Sequence, residues 1–167
     1  VHFPIAFLSV YSLMELVRIR YITSASYWFY IKASLVIIGS AGAVVAYLSG
    51  EVAEELFGET RLVETHSEWA EMSTIIFGSI AILYVIAWLS RLEIFNRFEN
   101  FSNLNNLRVY GIIKSIINYL VGSFIMILPA FVGLISVVIT GALGGAIVYG
   151  PDIDPFVRFI YDAVMGF

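Results

Sequence analysis

Two histidines are the residues of this chain best suited to hold a metal ion or a cofactor. His2 stands at the start of the first apolar segment and His66 at the start of the third. Imidazole is the usual ligand of haem b and a common ligand of copper, zinc and iron. A shared role requires both rings to lie at the same end of the molecule. The alternative is that each histidine caps or anchors a helix end.

The composition indicates that the elements carrying these histidines lie in a membrane. The chain has 167 residues, of which 60% are hydrophobic and only 13% are charged. A soluble domain is nearer half apolar and a quarter charged. A single small core cannot bury this much apolar surface, so membrane lipid must cover part of it. We therefore expect one transmembrane domain over residues 1–167.

Several kinds of site are excluded or disfavoured by the residue counts. The chain has no cysteine, which excludes disulfides, thiolate metal sites and covalent attachment of c-type haem. Its net charge is −4 and it has no basic run, so no nucleic-acid partner is expected. It also has no nucleophile motif and no phosphate-binding loop. We therefore do not expect a stand-alone enzyme.

The apolar stretches predict an all-α fold, an integral membrane four-helix bundle. The last stretch exceeds the roughly 20 residues that a span requires, so it is either one long helix kinked near Pro129 or a hairpin turning at 128–131. Because that turn would be wholly apolar, a hairpin would leave backbone groups unsatisfied in lipid, and four helices are favoured. A short amphipathic segment over 51–58 and an interfacial tail over 151–167 complete the chain. The predicted helices cover residues 1–19, 26–49, 62–90 and 109–149.

The distribution of lysine and arginine predicts the orientation in the membrane. The first and third connections are basic, whereas the second is rich in glutamate and has one basic residue, Arg61. Basic connections are typical of the cytoplasmic side. Both termini, and with them His2 and His66, are therefore predicted to lie on the extracytoplasmic face of a prokaryotic cytoplasmic membrane. The basic residues that carry this argument are Arg18, Arg20, Arg91, Arg97 and Arg108.

Short motifs mark the ends of the predicted helices. They are His2-Phe3-Pro4-Ile5-Ala6, Ser49-Gly50, the early His66 of the third helix, and Gly144-Gly145-Ala146-Ile147-Val148-Tyr149-Gly150. In this order they resemble the prokaryotic membrane family called domain of unknown function 2231, over nearly the whole chain. The resemblance implies four helices, and also redox surroundings, because related domains occur fused to cytochrome c modules. It supplies no established activity. Many members carry a basic residue or histidine after the terminal Val-Tyr, where this chain has Gly150-Pro151-Asp152.

The histidines and this resemblance together favour a redox role in the membrane. We expect haem b or a quinone to bind at the extracytoplasmic face near His2, His66, Gly144, Gly145 and Tyr149, and to serve a periplasmic cytochrome partner. One alternative is a cofactor-free anchor or assembly subunit whose acidic outer loop docks another membrane subunit. Another is a metal-handling protein in which His2 and His66 hold copper, zinc or iron.

Glycines of the second and last helices indicate close helix packing, because small residues let two backbones approach. They could pack helices of one chain or join copies into an oligomer. The glycines at the end of the last helix could instead leave room for a flat ring or a quinone head group. The residues concerned are Gly39, Gly42, Gly141, Gly144 and Gly145.

Ionisable residues inside predicted spans are further candidates. Glu15 lies one turn inside the end of the first helix, at a depth that matches Lys32 and Lys114, which predicts a Glu15–Lys32 or Glu15–Lys114 pair. In the third segment, Glu71 is the deepest carboxylate of a stripe that lies opposite His66 and is the best placed for proton transfer. The alternative is that this stripe is solvated.

Overall fold

The computed structural model describes residues 2–17, 23–57, 60–92 and 104–166, and the elements in these ranges are helices. The expected all-α fold is therefore confirmed over the part of the chain that is described. A short 3-10 helix, Phe124–Met126, separates α4 from α5. The α-helices are α1 His2–Leu16, α2 Ser26–Phe57, α3 Arg61–Leu89, α4 Leu104–Gly122, α5 Ile127–Tyr149 and α6 Pro155–Met165.

Side-chain caps determine where two of these helices begin. The Thr60 hydroxyl accepts a hydrogen bond of 3.3 Å from the backbone N–H of Val63 at the start of α3. The Asp154 carboxylate accepts bonds of 2.8 and 2.9 Å from the first backbone N–H groups of α6. Such caps satisfy N–H groups that have no partner within the helix. Pro155 suits the first position of α6 because it has no N–H to satisfy.

The long last helix of the sequence prediction is divided in two. The interruption lies at Ser123, upstream of Pro129 and of the predicted hairpin turn. The Ser123 hydroxyl accepts a hydrogen bond of 3.3 Å from the Ile125 N–H, which caps the 3-10 helix. Pro129 lies in the first turn of α5, where the absence of an N–H breaks no helical hydrogen bond.

Two further segments, the end of α2 and the C-terminal tail, also differ in form from the sequence prediction. Residues 51–57, expected as a separate amphipathic segment, continue α2 without interruption to Phe57. Within the expected interfacial tail, residues 155–165 form α6, which packs against α5. Val157 of α6 is buried beside Ala142 and Ala146 of α5.

Within the described residues, three segments are long and apolar enough to cross a membrane: Tyr27–Gly50, Arg61–Leu89 and Phe124–Tyr149. This is consistent with an integral membrane protein. Helix α1 is apolar but has 15 residues, or about 22 Å at 1.5 Å per residue. The outer surfaces of these helices expose large apolar side chains that lipid would cover, including Ile38, Val45, Ile75, Ile82 and Leu128.

The helices pack in a closed order around one apolar core. Helix α1 packs against α2 and α5, and α3 packs against the same two helices. Leu8 lies opposite Gly39, and Pro4 lies opposite Gly42, so α1 and α2 are antiparallel. The largest fully buried side chains of the core include Tyr11, Phe77 and Tyr84, from α1 and α3.

Glycines allow the closest of these approaches. A Cβ atom at Gly39 would lie 2.8 Å from Leu8 Cδ2, and one at Gly42 would lie 2.9 Å from Pro4 Cγ. These two glycines of α2 therefore make room for side chains of α1. The packing expected from small residues takes place here between helices of one chain.

Gly133 provides a stability test of this packing. In Gly133→Ala the added methyl group would lie 2.7 Å from Cζ of Phe77, whose side chain is fully buried. Overpacking of this kind costs about 1–3 kcal/mol, so we expect a lower thermal unfolding midpoint in detergent. The control is Gly78→Ala, where a Cβ would meet no atom within 4 Å. Equal midpoints for the two variants would contradict the close approach of α5 to α3.

Candidate functional site

A buried ion pair joins α1 to α2. Lys32 Nζ lies 2.9 Å from Glu15 Oε1, and their side chains are 9% and 1% exposed. The Tyr84 hydroxyl of α3 donates a hydrogen bond of 2.6 Å to the same carboxylate oxygen. Of the two pairs predicted from the sequence, the structure forms the one with Lys32. It adds Tyr84, which the sequence argument did not include.

The helical repeat explains why these two charged residues are buried. Glu15 shares the bundle-facing side of α1 with Tyr11, one helical turn away, and with Leu8, two turns away. Lys32 likewise shares a buried side of α2 with Val36. Because α1 and α2 are antiparallel, these sides meet with the ammonium and the carboxylate at the same depth.

Aromatic rings enclose the ion pair. Tyr11 meets Tyr84 edge to face with ring centroids 5.6 Å apart, and Phe29 stacks on Tyr84 at the same separation. Lys32 Nζ lies 5.6 Å from the centre of the Tyr84 ring. These rings cover the pair on the core side and leave its side chains only 9% and 1% exposed, which strengthens its electrostatic attraction and also raises the cost of separating it.

A cavity of about 350 Å³ lies next to the ion pair, at the ends of α1, α2 and α3. Its wall combines three charged side chains, three aromatic rings and small apolar residues. The exposed side chains of Tyr30 and Arg91 are among them, so the cavity meets the molecular surface there. The lining residues are Glu15, Val17, Thr23, Ala25, Trp28, Phe29, Tyr30, Lys32, Arg91, Val121 and Gly122.

Arg91 is held at the cavity by two contacts. Its guanidinium carbon lies 3.3 Å from the centre of the Phe29 ring, and its Nη2 donates a hydrogen bond of 3.2 Å to Asn118 Oδ1. The Asn118 amide donates in turn to Ser90 Oγ and to the Lys114 carbonyl, which orients it. Partial burial lowers the pKa of Arg91 from its usual value, but a guanidinium remains charged at neutral pH.

The charges at the cavity do not cancel. Glu15 and Lys32 neutralise one another at 2.9 Å. Among the ion pairs of the described residues, none includes Arg91. Among the described residues, the cavity therefore carries one positive charge without a carboxylate partner, together with guanidinium N–H groups beyond the one that binds Asn118.

The residues predicted to form a site at the opposite end take different places. His66 is half-buried against α5, where a Cβ at Gly144 would lie 3.2 Å from His66 Cε1. The flat ring beside Gly144 is thus the imidazole of the same chain. A Cβ at Gly145 would lie 3.7 Å from Val157 of α6. His2 is exposed at the start of α1, and Tyr149 is 72% exposed.

The acidic stripe of α3 lies on the surface. Glu64, Glu68 and Glu71 are exposed, whereas His66 is turned toward α5, which agrees with the opposite sides expected from the helical repeat. Within the described ranges, no three histidine, aspartate or glutamate side chains come together as a metal-binding group. Ligation of a metal or haem by His2 and His66 stays a prediction.

Comparison of the chain with family models, curated proteins and solved structures finds no match. The resemblance to domain of unknown function 2231 therefore stays a prediction that rests on the motifs alone. The function has to be argued from the site itself.

Sequence reasoning missed the cavity, the role of Arg91 in its wall and the role of Tyr84 beside the ion pair. Arg91 was counted only as a basic residue in a connection, and Tyr84 was taken as part of an apolar helix. A usable signal was present, since Arg91 follows Tyr84 at a spacing close to two helical turns, just beyond the end of α3. Their approach to Glu15 depends on how α3 is rotated, which its spacing alone does not give.

Removing one member of the ion pair should be more harmful than removing both. Lys32→Met leaves the Glu15 carboxylate buried without its counter-ion, and the loss of one partner of a buried pair costs about 3–5 kcal/mol. The double variant Glu15→Leu/Lys32→Met buries no charge and should recover most of this stability. Thermal unfolding in detergent measures both variants. Additive losses in the double variant would show that the two residues are not coupled.

Proposed function

We propose that this protein is an integral membrane four-helix bundle that binds the polar head of a membrane-resident ligand in the cavity beside Glu15 and Lys32. Helices α1, α2, α3 and α5 form the bundle, and α1 completes it although it is shorter than the others. The observation that carries the proposal is a 350 Å³ cavity whose wall joins a positive charge to aromatic rings.

The size and lining of the cavity support a ligand rather than a packing defect. Small-molecule sites commonly occupy about 300–1,000 Å³ and combine aromatic walls with a few polar groups. Phe29, Trp28 and Tyr30 supply the aromatic part, and Arg91 supplies an accessible donor. A packing defect would be dry and lined by apolar side chains. The wall of this cavity instead includes the charged side chain of Arg91.

The position of the cavity supports a ligand that comes from the membrane. Its lining residues lie near the start of the span Tyr27–Gly50 and just after the end of Arg61–Leu89. Trp and Tyr side chains favour this level of a bilayer, where one part of the ring is in an apolar and the other in a wet environment. The Lys/Arg distribution assigns this end to the cytoplasmic side.

Filling the cavity should prevent binding. Gly122 lines the cavity, and a Cβ there would meet no atom within 4 Å. We expect Gly122→Leu to fold normally and to lose a ligand that wild-type protein retains when it is purified from native membranes. Native mass spectrometry detects the retained ligand as a discrete added mass.

Gly111→Leu is the matched control for this experiment. Gly111 is also an exposed residue of α4 with no atom within 4 Å of its Cβ position, but it does not line the cavity. It should retain the ligand. A wild-type protein without added mass, or equal retention by both leucine variants, would contradict the proposed function.

The redox role expected from the sequence is a separate proposal, placed at the other end of the molecule. It requires haem b or a quinone near His2 and His66, and a periplasmic cytochrome to exchange electrons. No contact among the described residues adds support to it. The cofactor-free anchor and the metal-handling protein are the further alternatives.

Visible spectra of the oxidised and dithionite-reduced protein, purified from native membranes, test this redox proposal. A Soret band that shifts on reduction and is lost in His66→Ala would support haem. Metal analysis of the same sample tests the metal-handling alternative. A colourless, metal-free protein would contradict haem binding and the metal-handling alternative.

A further inference from the structure

We infer that the ligand of the cavity is an anionic phospholipid, with its phosphate at Arg91 and one acyl chain in an apolar groove between α2 and α3. This inference rests on the proposed function, since it names the ligand class of the same cavity. It also depends on a second surface feature, which lies outside the cavity.

The second feature is a groove on the outer side of α2 and α3. It encloses about 170 Å³ and is lined only by apolar side chains: Ile37, Val85, Trp88, Leu89 and Leu92. No charged residue contributes to it, so it offers nothing to a polar group. A hydrocarbon chain is the occupant that matches this lining, because the groove lies on spans that face lipid.

The cavity and the groove are adjacent. Tyr30 lines the cavity and Trp88 lines the groove, and their rings meet edge to face with centroids 5.4 Å apart. Arg91 and Leu92 are consecutive residues, one lining each site. A single ligand can therefore occupy both sites by passing over the contact between Tyr30 and Trp88.

The relative position of the two sites matches the direction of a lipid in one leaflet. Ile37 lies about 7.5 Å beyond Lys32 along α2, and Val85 lies about 6 Å from Leu89 along α3, at 1.5 Å per residue. The groove thus begins at the end of α3, where Leu89 and Leu92 line it, and extends toward the middle of both spans. A phospholipid has the same arrangement, with its head group at the surface and its acyl chain directed inward.

The charge of the cavity selects an anion. Lys32 is neutralised by Glu15, so among the described lining residues the guanidinium of Arg91 is the cation available to a ligand. Its guanidinium carbon lies 3.3 Å from the centre of the Phe29 ring and its Nη2 binds Asn118, so two contacts hold the group while other N–H donors remain for a ligand. Guanidinium binds phosphate through paired, charge-assisted hydrogen bonds, and this geometry is what distinguishes arginine from lysine.

Titration with defined lipids tests the head-group assignment. Purified protein in uncharged detergent is titrated with dioleoyl-phosphatidylglycerol, and the bound fraction is measured by native mass spectrometry. Arg91→Gln removes charge-assisted hydrogen bonds to the phosphate, so we expect it to weaken binding about tenfold or more. Arg91→Lys should bind with intermediate affinity, because it keeps the charge and loses the paired donors.

Two controls separate this effect from general electrostatics. Arg158→Gln removes an exposed arginine of α6 that binds Asp152 and Asp162, and should bind phosphatidylglycerol like wild type. Dioleoyl-phosphatidylcholine has the same chains and no net charge, and should bind wild type about tenfold more weakly. Equal affinity for both lipids, or an unchanged affinity in Arg91→Gln, would overturn the inference. If Arg91→Gln fails to fold, Arg91→Lys and the two lipids decide the question.

The acyl chain is tested by blocking the groove. Val85→Trp places a large side chain in the groove and should weaken lipid binding, whereas Ile82→Trp, an exposed position of α3 outside the groove, should not. Inorganic phosphate and glycerol 3-phosphate lack the chain, so they should not displace the lipid at equal concentration. Displacement by either would identify the ligand as a free anion and refute the lipid assignment.

The two proposals fail in different ways. If the cavity binds a ligand of another class, wild type retains an added mass that Gly122→Leu loses. In that case Arg91→Gln and Val85→Trp do not change the affinity for phosphatidylglycerol. If the cavity binds nothing, Gly122→Leu changes neither the retention of a native ligand nor the binding of phosphatidylglycerol.

Discussion

The buried contact of Glu15 with Lys32 and Tyr84 is the constraint on which the rest of the structure depends. It joins α1, α2 and α3 through one carboxylate oxygen, with contacts of 2.9 and 2.6 Å. Apolar helices in lipid have little preference for one depth or rotation over another. A charged pair that must stay together removes this freedom, because shifting either helix would leave an uncompensated charge in an apolar environment.

The cavity follows from the same constraint. With Glu15 and Lys32 paired beside aromatic rings, the short α1 ends next to them, and the space beyond it is bounded by residues of α2, by Arg91 just after α3 and by the end of α4. Asn118 then joins the end of α4 to the end of α3 and orients Arg91. One end of the bundle thus combines a neutralised ion pair with an available cation. The other end is filled by close packing, with His66 lying against Gly144.

Much of the fold could be predicted from composition and periodicity, because a helix needs only local hydrogen bonds and a span needs only length and apolar character. The depth of Glu15 and Lys32 could be predicted for the same reason, since residue number translates directly into rise along a helix. The break at Ser123 was missed. Pro129 is the stronger local signal for a helix break, but it lies in the first turn of α5, where proline is tolerated.

The sequence by itself therefore determined a helical chain with segments long and apolar enough to span a membrane, and with charged residues at matching depths along them. Tertiary structure decided which lysine pairs with Glu15, that Tyr84 joins the pair, that His66 lies against Gly144, and that Arg91 stands at a cavity. The physical reason is that position along a helix is a local property. Which sides of two helices meet is settled only when all the helices pack together, through the combined cost of buried charges, close backbone approaches and filled space.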